Sequence, residues 1–185
     1  MAADTRSSAR AFVRSLNILL KFARLYEFGH VRTMAQFETA WKERDAGIAM
    51  PFATIHRGLG RPVGSTRYGN LDRVNHRVEI GWTWIGRSWQ RTAVNTEAKF
   101  LMLRHAFEEL GCIRVELKTD SLNERSRNAI LRLGAKEEGI FRNHMITSSG
   151  RLRHSVYYSI LDSEWPAVKK RLQEKLSPPA KVSAS

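Results

Sequence analysis

The stretch Val78-Glu79-Ile80-Gly81-Trp82-Thr83-Trp84-Ile85, followed by Trp89-Gln90-Arg91-Thr92-Ala93-Val94-Asn95-Thr96-Glu97, decides how this chain folds. In the first segment Val78, Ile80, Trp82 and Trp84 share one face, the period of a half-buried strand. From Thr96 to Leu110 the period changes: Phe100, Leu103, Phe107 and Leu110 form the buried stripe of a helix, which Gly111 stops. A helix start leaves backbone N–H groups without intrahelical partners and carries partial positive charge, so the junction between the two segments suits a phosphate. Beyond the helix, Ile113, Val115, Leu117 and Thr119 alternate with Arg114, Glu116 and Lys118, which predicts a second strand. Strand, helix and strand in this order predict a crossover with parallel strands.

Upstream, Ala49 to His56 is an apolar run closed by the glycine-rich turn Arg57-Gly58-Leu59-Gly60-Arg61. Val63 to Tyr68 and Asn75 to Ile85 follow, separated by Gly69-Asn70 and Asp72, and the three runs predict an antiparallel meander. Downstream, Asn123 caps a short helix that Gly134 ends. Gly139 to Thr147 and Leu152 to Leu161 flank Ser148-Ser149-Gly150 as a hairpin, and Ser163 caps a last helix carrying Trp165. Thr33 to Asp45 is an earlier helix. Ala9 to Tyr26 has the helical spacing of Phe12, Leu16, Leu19 or Leu20, Phe22 and Leu25, and no strand pattern. The expected organisation is an atypical helical segment over residues 1–30, one domain over 31–176 and a disordered tail over 177–185.

The 185 residues suffice for one core that buries about two-thirds of the unfolded surface. No apolar run of about eighteen residues occurs, which excludes a transmembrane helix, and no membrane partner is expected. Leu16-Asn17-Ile18-Leu19-Leu20 is brief, and Lys21 and Arg24 follow it without a small-residue cleavage site, so no signal peptide is expected. Cys112 is the only cysteine; no intramolecular disulfide can form, and a reducing, cytoplasmic compartment is expected. Its place after Gly111 and before an apolar strand predicts a buried, inert thiol. Lysine and arginine number 31 against 18 acidic residues, a net charge of +13 that attracts polyanions such as nucleic acid or a ribosomal surface. That charge is scattered along the chain, which argues against a dedicated nucleic-acid-binding arm.

The order of these elements resembles the GNAT N-acetyltransferase superfamily, in the RimJ/RimL-like branch of ribosomal-protein N-terminal acetyltransferases. The resemblance rests on Glu79 to Trp84, Gln90 to Leu103, Asn123-Glu124-Arg125-Ser126-Arg127-Asn128-Ala129-Ile130 with Leu133-Gly134-Ala135, Glu138-Gly139, and Val156 to Trp165. It implies an α/β (α+β) fold: a mixed, mostly antiparallel sheet, splayed at its centre and flanked by helices. The family opens with a strand, and since residues 1–30 show none, the first strand is expected to be missing. The resemblance also implies acetyl-CoA as donor and a primary amine as acceptor, either a small molecule or a protein N-terminus, with ribosome association and a monomer or homodimer as further expectations.

In such enzymes the coenzyme's pyrophosphate lies on the turn before the long helix, here Gln90, Arg91, Thr92, Ala93, Val94, Asn95 and Thr96. Ala93 and Asn95 stand where the family places small residues, often glycine; Asn95 tolerates unusual backbone angles and can cap the helix. Asn123 and Ser126 match positions that contact the pantetheine and thiol end. The strand ending at Trp84 and Ile85 is where the family bulges and splays, and its freed backbone holds the pantetheine arm.

Direct transfer needs a neutral amine, a stabilised carbonyl oxygen and a protonated leaving thiolate. Glu79 is the candidate base, acting through water; the structural alternative is a pair with a neighbouring arginine such as Arg77. His76 and His144 are further candidates, although lone strand histidines are more often structural. Ser126 is the candidate acid, with Tyr157 or Tyr158 as runner-up. No metal ligand set is assigned. Trp82, Trp84 and Trp89 are expected in the core around the cleft, and Arg104-His105 on a solvated helix face. The alternative function is a non-catalytic basic module with the same fold that binds RNA or an acidic partner.

Overall fold

The alternation read in the sequence becomes a sheet of seven strands in the computed structural model, which describes residues 18–22 and 34–177. The strands are β1 (Ile18–Phe22), β2 (Met50–His56), β3 (Arg61–Asp72), β4 (Arg77–Ile85), β5 (Arg114–Asp120), β6 (Lys136–Ile146) and β7 (Leu152–Leu161). Helices α1 (Met34–Asp45), α2 (Val94–Glu108), α3 (Glu124–Leu133) and α4 (Trp165–Leu176) connect or follow them. The strand order is β1-β2-β3-β4-β5-β7-β6. β4 and β5 pair in parallel across the α2 crossover, and all other neighbours are antiparallel.

The main departure lies at the N-terminus. Ile18–Phe22, expected in a helix and ahead of the domain, is strand β1, antiparallel to β2 with Leu20 opposite Thr54. The first strand is therefore present. A short apolar run fits both periods, and here the open edge of β2 supplies the backbone partners that decide the outcome. The remaining residues of the expected N-terminal helix, and most of the expected tail, lie outside the described residues.

One face of the sheet carries the core. Val78, Ile80, Val115, Leu117, Val156, Tyr158 and Ile160 pack against Phe100, Leu103 and Ala106 of α2, Ile130 and Leu133 of α3, and Trp165, Val168 and Leu172 of α4. Cys112 is buried among them, as expected. Leu110 is not part of the stripe: α2 ends at Glu108 and Leu110 is 43% exposed. α4 starts after Glu164 rather than Ser163. The opposite face of the central strands is polar, presenting Arg77, Glu79, Arg114, Glu116, Lys118 and Tyr157.

Two irregularities open the sheet at its centre. β4 and β5 pair only over Arg77–Glu79 and Arg114–Glu116, then diverge to Ile85 and Asp120. Within β4 a bulge places Trp82 and Thr83 opposite the single residue Thr66, between the pairs Arg67↔Gly81 and Ser65↔Trp84. Trp82 takes a left-handed φ of 49° there. The bulge breaks the face shared by Val78, Ile80, Trp82 and Trp84: the first two are buried, whereas the tryptophans are 48% and 42% exposed rather than core. The Trp82 ring lies over Gly69, where an added Cβ would stand 2.4 Å from a ring carbon.

Candidate active site at the splay between two parallel strands

The turn before α2 is held on three sides. A 3-10 turn over Arg87–Trp89 follows Gly86, whose N–H donates to the Val63 carbonyl at 2.8 Å. Gln90 Nε2 donates to the Ile85 carbonyl at 2.9 Å, and Gln90 Oε1 accepts from Arg125 Nη2 of α3 at 2.6 Å. Gln90 thus links the end of β4 to the start of α3. Arg91 adopts a φ of 65°. Thr92 Oγ1 donates to the Trp89 carbonyl at 2.7 Å and accepts from Val94 N–H at 3.3 Å.

The N-cap position of α2 is Ala93, which makes no side-chain cap bond. Asn95 does not cap the helix; it is the second helical residue, and its Oδ1 is buried without a hydrogen-bond partner. Thr92 reaches in from outside and serves Val94 instead, leaving the N–H groups of the first turn with no intrahelical acceptor. Val94 and Ala98 pack with Val63, Ile85, Trp89 and Leu101, fixing the helix start to β3 and β4.

A second helix start faces the same opening. Asn123 caps α3 as expected, its side chain accepting from Ser126 N–H at 3.0 Å. Ser126 is half-buried in the first turn. Trp84, Ile85, Gln90 to Thr96, Asn123 and Ser126 therefore gather at one end of the sheet, where β4 and β5 diverge. A phosphate-bearing, extended ligand fits this arrangement: a helix start whose N-cap residue offers no side-chain acceptor to the first-turn N–H groups, the exposed Arg91 nearby, and strand edges leading inward.

Glu79 closes the other end of the splay. It is 2% exposed; its Oε2 pairs with Lys118 Nζ at 2.8 Å and accepts from Asn70 Nδ2 at 2.7 Å. Its Oε1 points along the strand to Gly81, where an added Cβ would stand 3.0 Å from it. The partner is not Arg77, which bonds Asp72 at 3.0 Å and Glu116 at 3.5 Å. Burial pulls the Lys118 ammonium down, but the bond to Glu79 and the field of Glu79 and Tyr157 outweigh it and hold the group above its ordinary value.

On this polar face lies a cleft of about 930 Å³ whose walls include Asn70, Arg77, Arg114, Glu116, Phe141 and Tyr157. The two candidate tyrosines separate by strand alternation. Tyr157 faces the cleft with its ring centroid 5.5 Å from Lys118 Nζ, whereas Tyr158 is buried in the core and accepts from Arg127 Nε at 3.2 Å. His144 Nδ1 lies 3.0 Å from Ser155 Oγ and its Nε2 3.4 Å from the Tyr157 hydroxyl. His76 is exposed in the turn before β4, outside this group. His105 sits at 2.8 Å from Glu109 and stacks on Tyr68, so its helix face is not merely solvated.

Sequence reasoning missed Asn70, Lys118 and Lys99. Lys118 and Lys99 looked like ordinary charged positions, and the one available signal was Lys99 between the apolar residues Ala98 and Phe100.

The family model "Acetyltransferase (GNAT) domain" matches residues 20–136. YdaF of Bacillus subtilis (strain 168), whose name places it with ribosomal N-acetyltransferases, is 36% identical over 118 residues, covering 62% of this chain and 63% of that protein. The chain thus matches under two thirds of that relative's length. A GCN5-related N-acetyltransferase from Brucella melitensis superposes with a TM-score of 0.73 at 36% identity, over 82% of this chain and 69% of the other. RimJ of Mycobacterium smegmatis, solved in complex with CoA-disulfide, shares the fold at a TM-score of 0.68 and 22% identity, over 91% and 85% of the two chains. With the family model spanning more than half of the sequence and the sheet splayed between β4 and β5, this chain belongs to the GNAT acetyltransferase family.

Proposed function

We propose that the chain transfers an acetyl group from acetyl-CoA to a primary amine directly, without a covalent enzyme intermediate. The observation that carries this reading is the pair of helix starts at the open end of the β4–β5 splay, with the buried Glu79–Lys118 pair closing the other end. Gln90, Arg91, Thr92, Ala93, Val94, Asn95 and Thr96 would hold the pyrophosphate, and Trp84, Ile85 and Asn123 the pantetheine arm. Acetyl-CoA bound there supplies an activated thioester.

The protein's residues supply the rest. Lys118 and Asn70 occupy Oε2 of Glu79 and leave Oε1 to accept, through water, the proton that the attacking amine loses. Backbone N–H groups freed by the β4 bulge stabilise the carbonyl oxygen as negative charge develops. Ser126, in the first turn of α3, donates its hydroxyl hydrogen to the leaving sulfur and recovers a proton from solvent. The nitrogen–carbon bond forms, the carbon–sulfur bond breaks, and the sulfur departs as a thiol.

The cleft on the polar face supports an acceptor that arrives opposite the coenzyme. A protein N-terminus or a small-molecule amine both fit; the charge of +13 favours an acceptor in a polyanionic setting such as the ribosome, in the cytoplasm. The same charge is the ground for a second reading, a non-catalytic module that binds RNA or an acidic protein. Isothermal titration with acetyl-CoA, combined with thiol release over a mixed pool of amines and N-terminal peptides, separates the two. Micromolar binding with acceptor-dependent thiol release supports the enzyme. Absence of both, with salt-sensitive RNA binding, supports the module.

A further inference from the structure

Lys99 breaks the rule that a buried charge is paired. It lies in α2, is 5% exposed, and among the described residues no carboxylate pairs with it. Its Nζ donates to Thr66 Oγ1 at 2.9 Å and to Thr83 Oγ1. Those hydroxyls are 3.0 Å apart, and Thr66 Oγ1 also reaches the Gly81 carbonyl at 3.3 Å. Burial alone pulls the ammonium down to about 7. An apolar residue at this helical position would serve the core better, since an uncompensated buried ammonium opposes folding. Such local violations concentrate where function requires them.

What the lysine grips is informative. Thr66 is the single β3 residue opposite the bulge, and Thr83 is one of the two bulged residues of β4. Lys99 therefore fastens both strands at the bulge from the α2 side of the sheet. The other edge of β4, beyond Glu79, has no β5 partner and faces the splay. Because α2 begins at the phosphate turn, one side chain also fixes the distance between that turn and the bulge.

We propose that Lys99 is a positioning residue for acetyl transfer, which holds the β4 bulge in register with the start of α2 so that the free edge of β4 is aimed into the splay. The proposal rests on the acetyl-transfer reading above. Lys99 touches no reacting group and acts through Thr66 and Thr83.

The test compares wild type, Lys99→Met and Thr83→Val by thermal unfolding and by steady-state kinetics of thiol release. Lys99→Met is expected to melt at or above the wild-type temperature, while kcat/KM falls at least tenfold with a rise in KM for acetyl-CoA. Thr83→Val should reproduce the kinetic loss, and the double variant should be no worse than either single one. Wild-type kcat/KM in both single variants, or a loss of activity matched by a loss of folded protein in both, overturns the proposal and leaves acetyl transfer standing. A wild-type protein that releases no thiol with any acceptor overturns both.

Discussion

Lys118 of β5 reaches across the splay to Glu79 of β4, with 2.8 Å between Nζ and Oε2, at the point where the two parallel strands stop pairing. The side chains are 17% and 3% exposed, so the pair is largely desolvated. Lys118→Met should therefore cost about 3–5 kcal/mol of stability, because Glu79 is left charged and buried. Glu79→Gln keeps an acceptor for Asn70 but leaves the Lys118 ammonium uncompensated, so it too should lose stability. Its kcat should fall about 10²–10⁴-fold, the range for loss of a general base. Chemical denaturation and steady-state kinetics of the two variants check both expectations.

Gly81 bears on the same carboxylate. A methyl group there would stand 3.0 Å from Glu79 Oε1, tighter than most Cβ contacts, so the carboxylate would have to shift. Gly81→Ala should lower kcat with little change in the affinity for acetyl-CoA. Separate measurement of kcat and of the Kd by titration tests this split.

At the phosphate turn, Asn95 stands in the first turn of α2 with its side-chain oxygen buried. Asn95→Ile puts a branched side chain where the backbone must approach the pyrophosphate, and should weaken acetyl-CoA binding at least tenfold. Breaking the link between the two helix starts with Gln90→Ala should weaken it less. Unchanged affinity in Asn95→Ile places the coenzyme elsewhere.

Lys99 makes a prediction about pH. Its folded value of about 7 lies below the ordinary 10.5, so between these two the unfolded chain binds more protons than the folded one. Stability contributed at this site therefore rises as pH climbs from about 7 towards 10.5, and the penalty is fully present below 7. Urea denaturation midpoints of wild type should show that rise, whereas Lys99→Met should show a flatter profile over the same window.

Legibility in the sequence followed the range of the interactions. Asn123 and Gly134 are decided within one helical turn, and their roles as cap and stop were readable from residue type alone. The crossover was readable too, since Val115, Leu117 and Thr119 alternate without interruption after an amphipathic helix. The bulge was hidden because Trp82 and Trp84 continue the alternation of Val78 and Ile80, and only the pairing with β3 shows two residues facing Thr66. The partner of Glu79 was hidden for a similar reason: the register of β4 on β5 brings up Lys118, while the sequence neighbour Arg77 turns to Asp72 and Glu116. β1 needed the free edge of β2 to become a strand at all.

Acetyl-CoA is expected to bind in the β4–β5 splay, and every role assigned to Glu79, Ser126 and Lys99 depends on its lying there. Hydrogen exchange of the full chain, read by mass spectrometry with and without saturating acetyl-CoA, measures it directly. Protection is expected in peptides covering Trp84 to Thr96 and Asp120 to Ser126, with the β6–β7 hairpin unchanged. Protection confined to other segments, or none at saturation, would contradict the account.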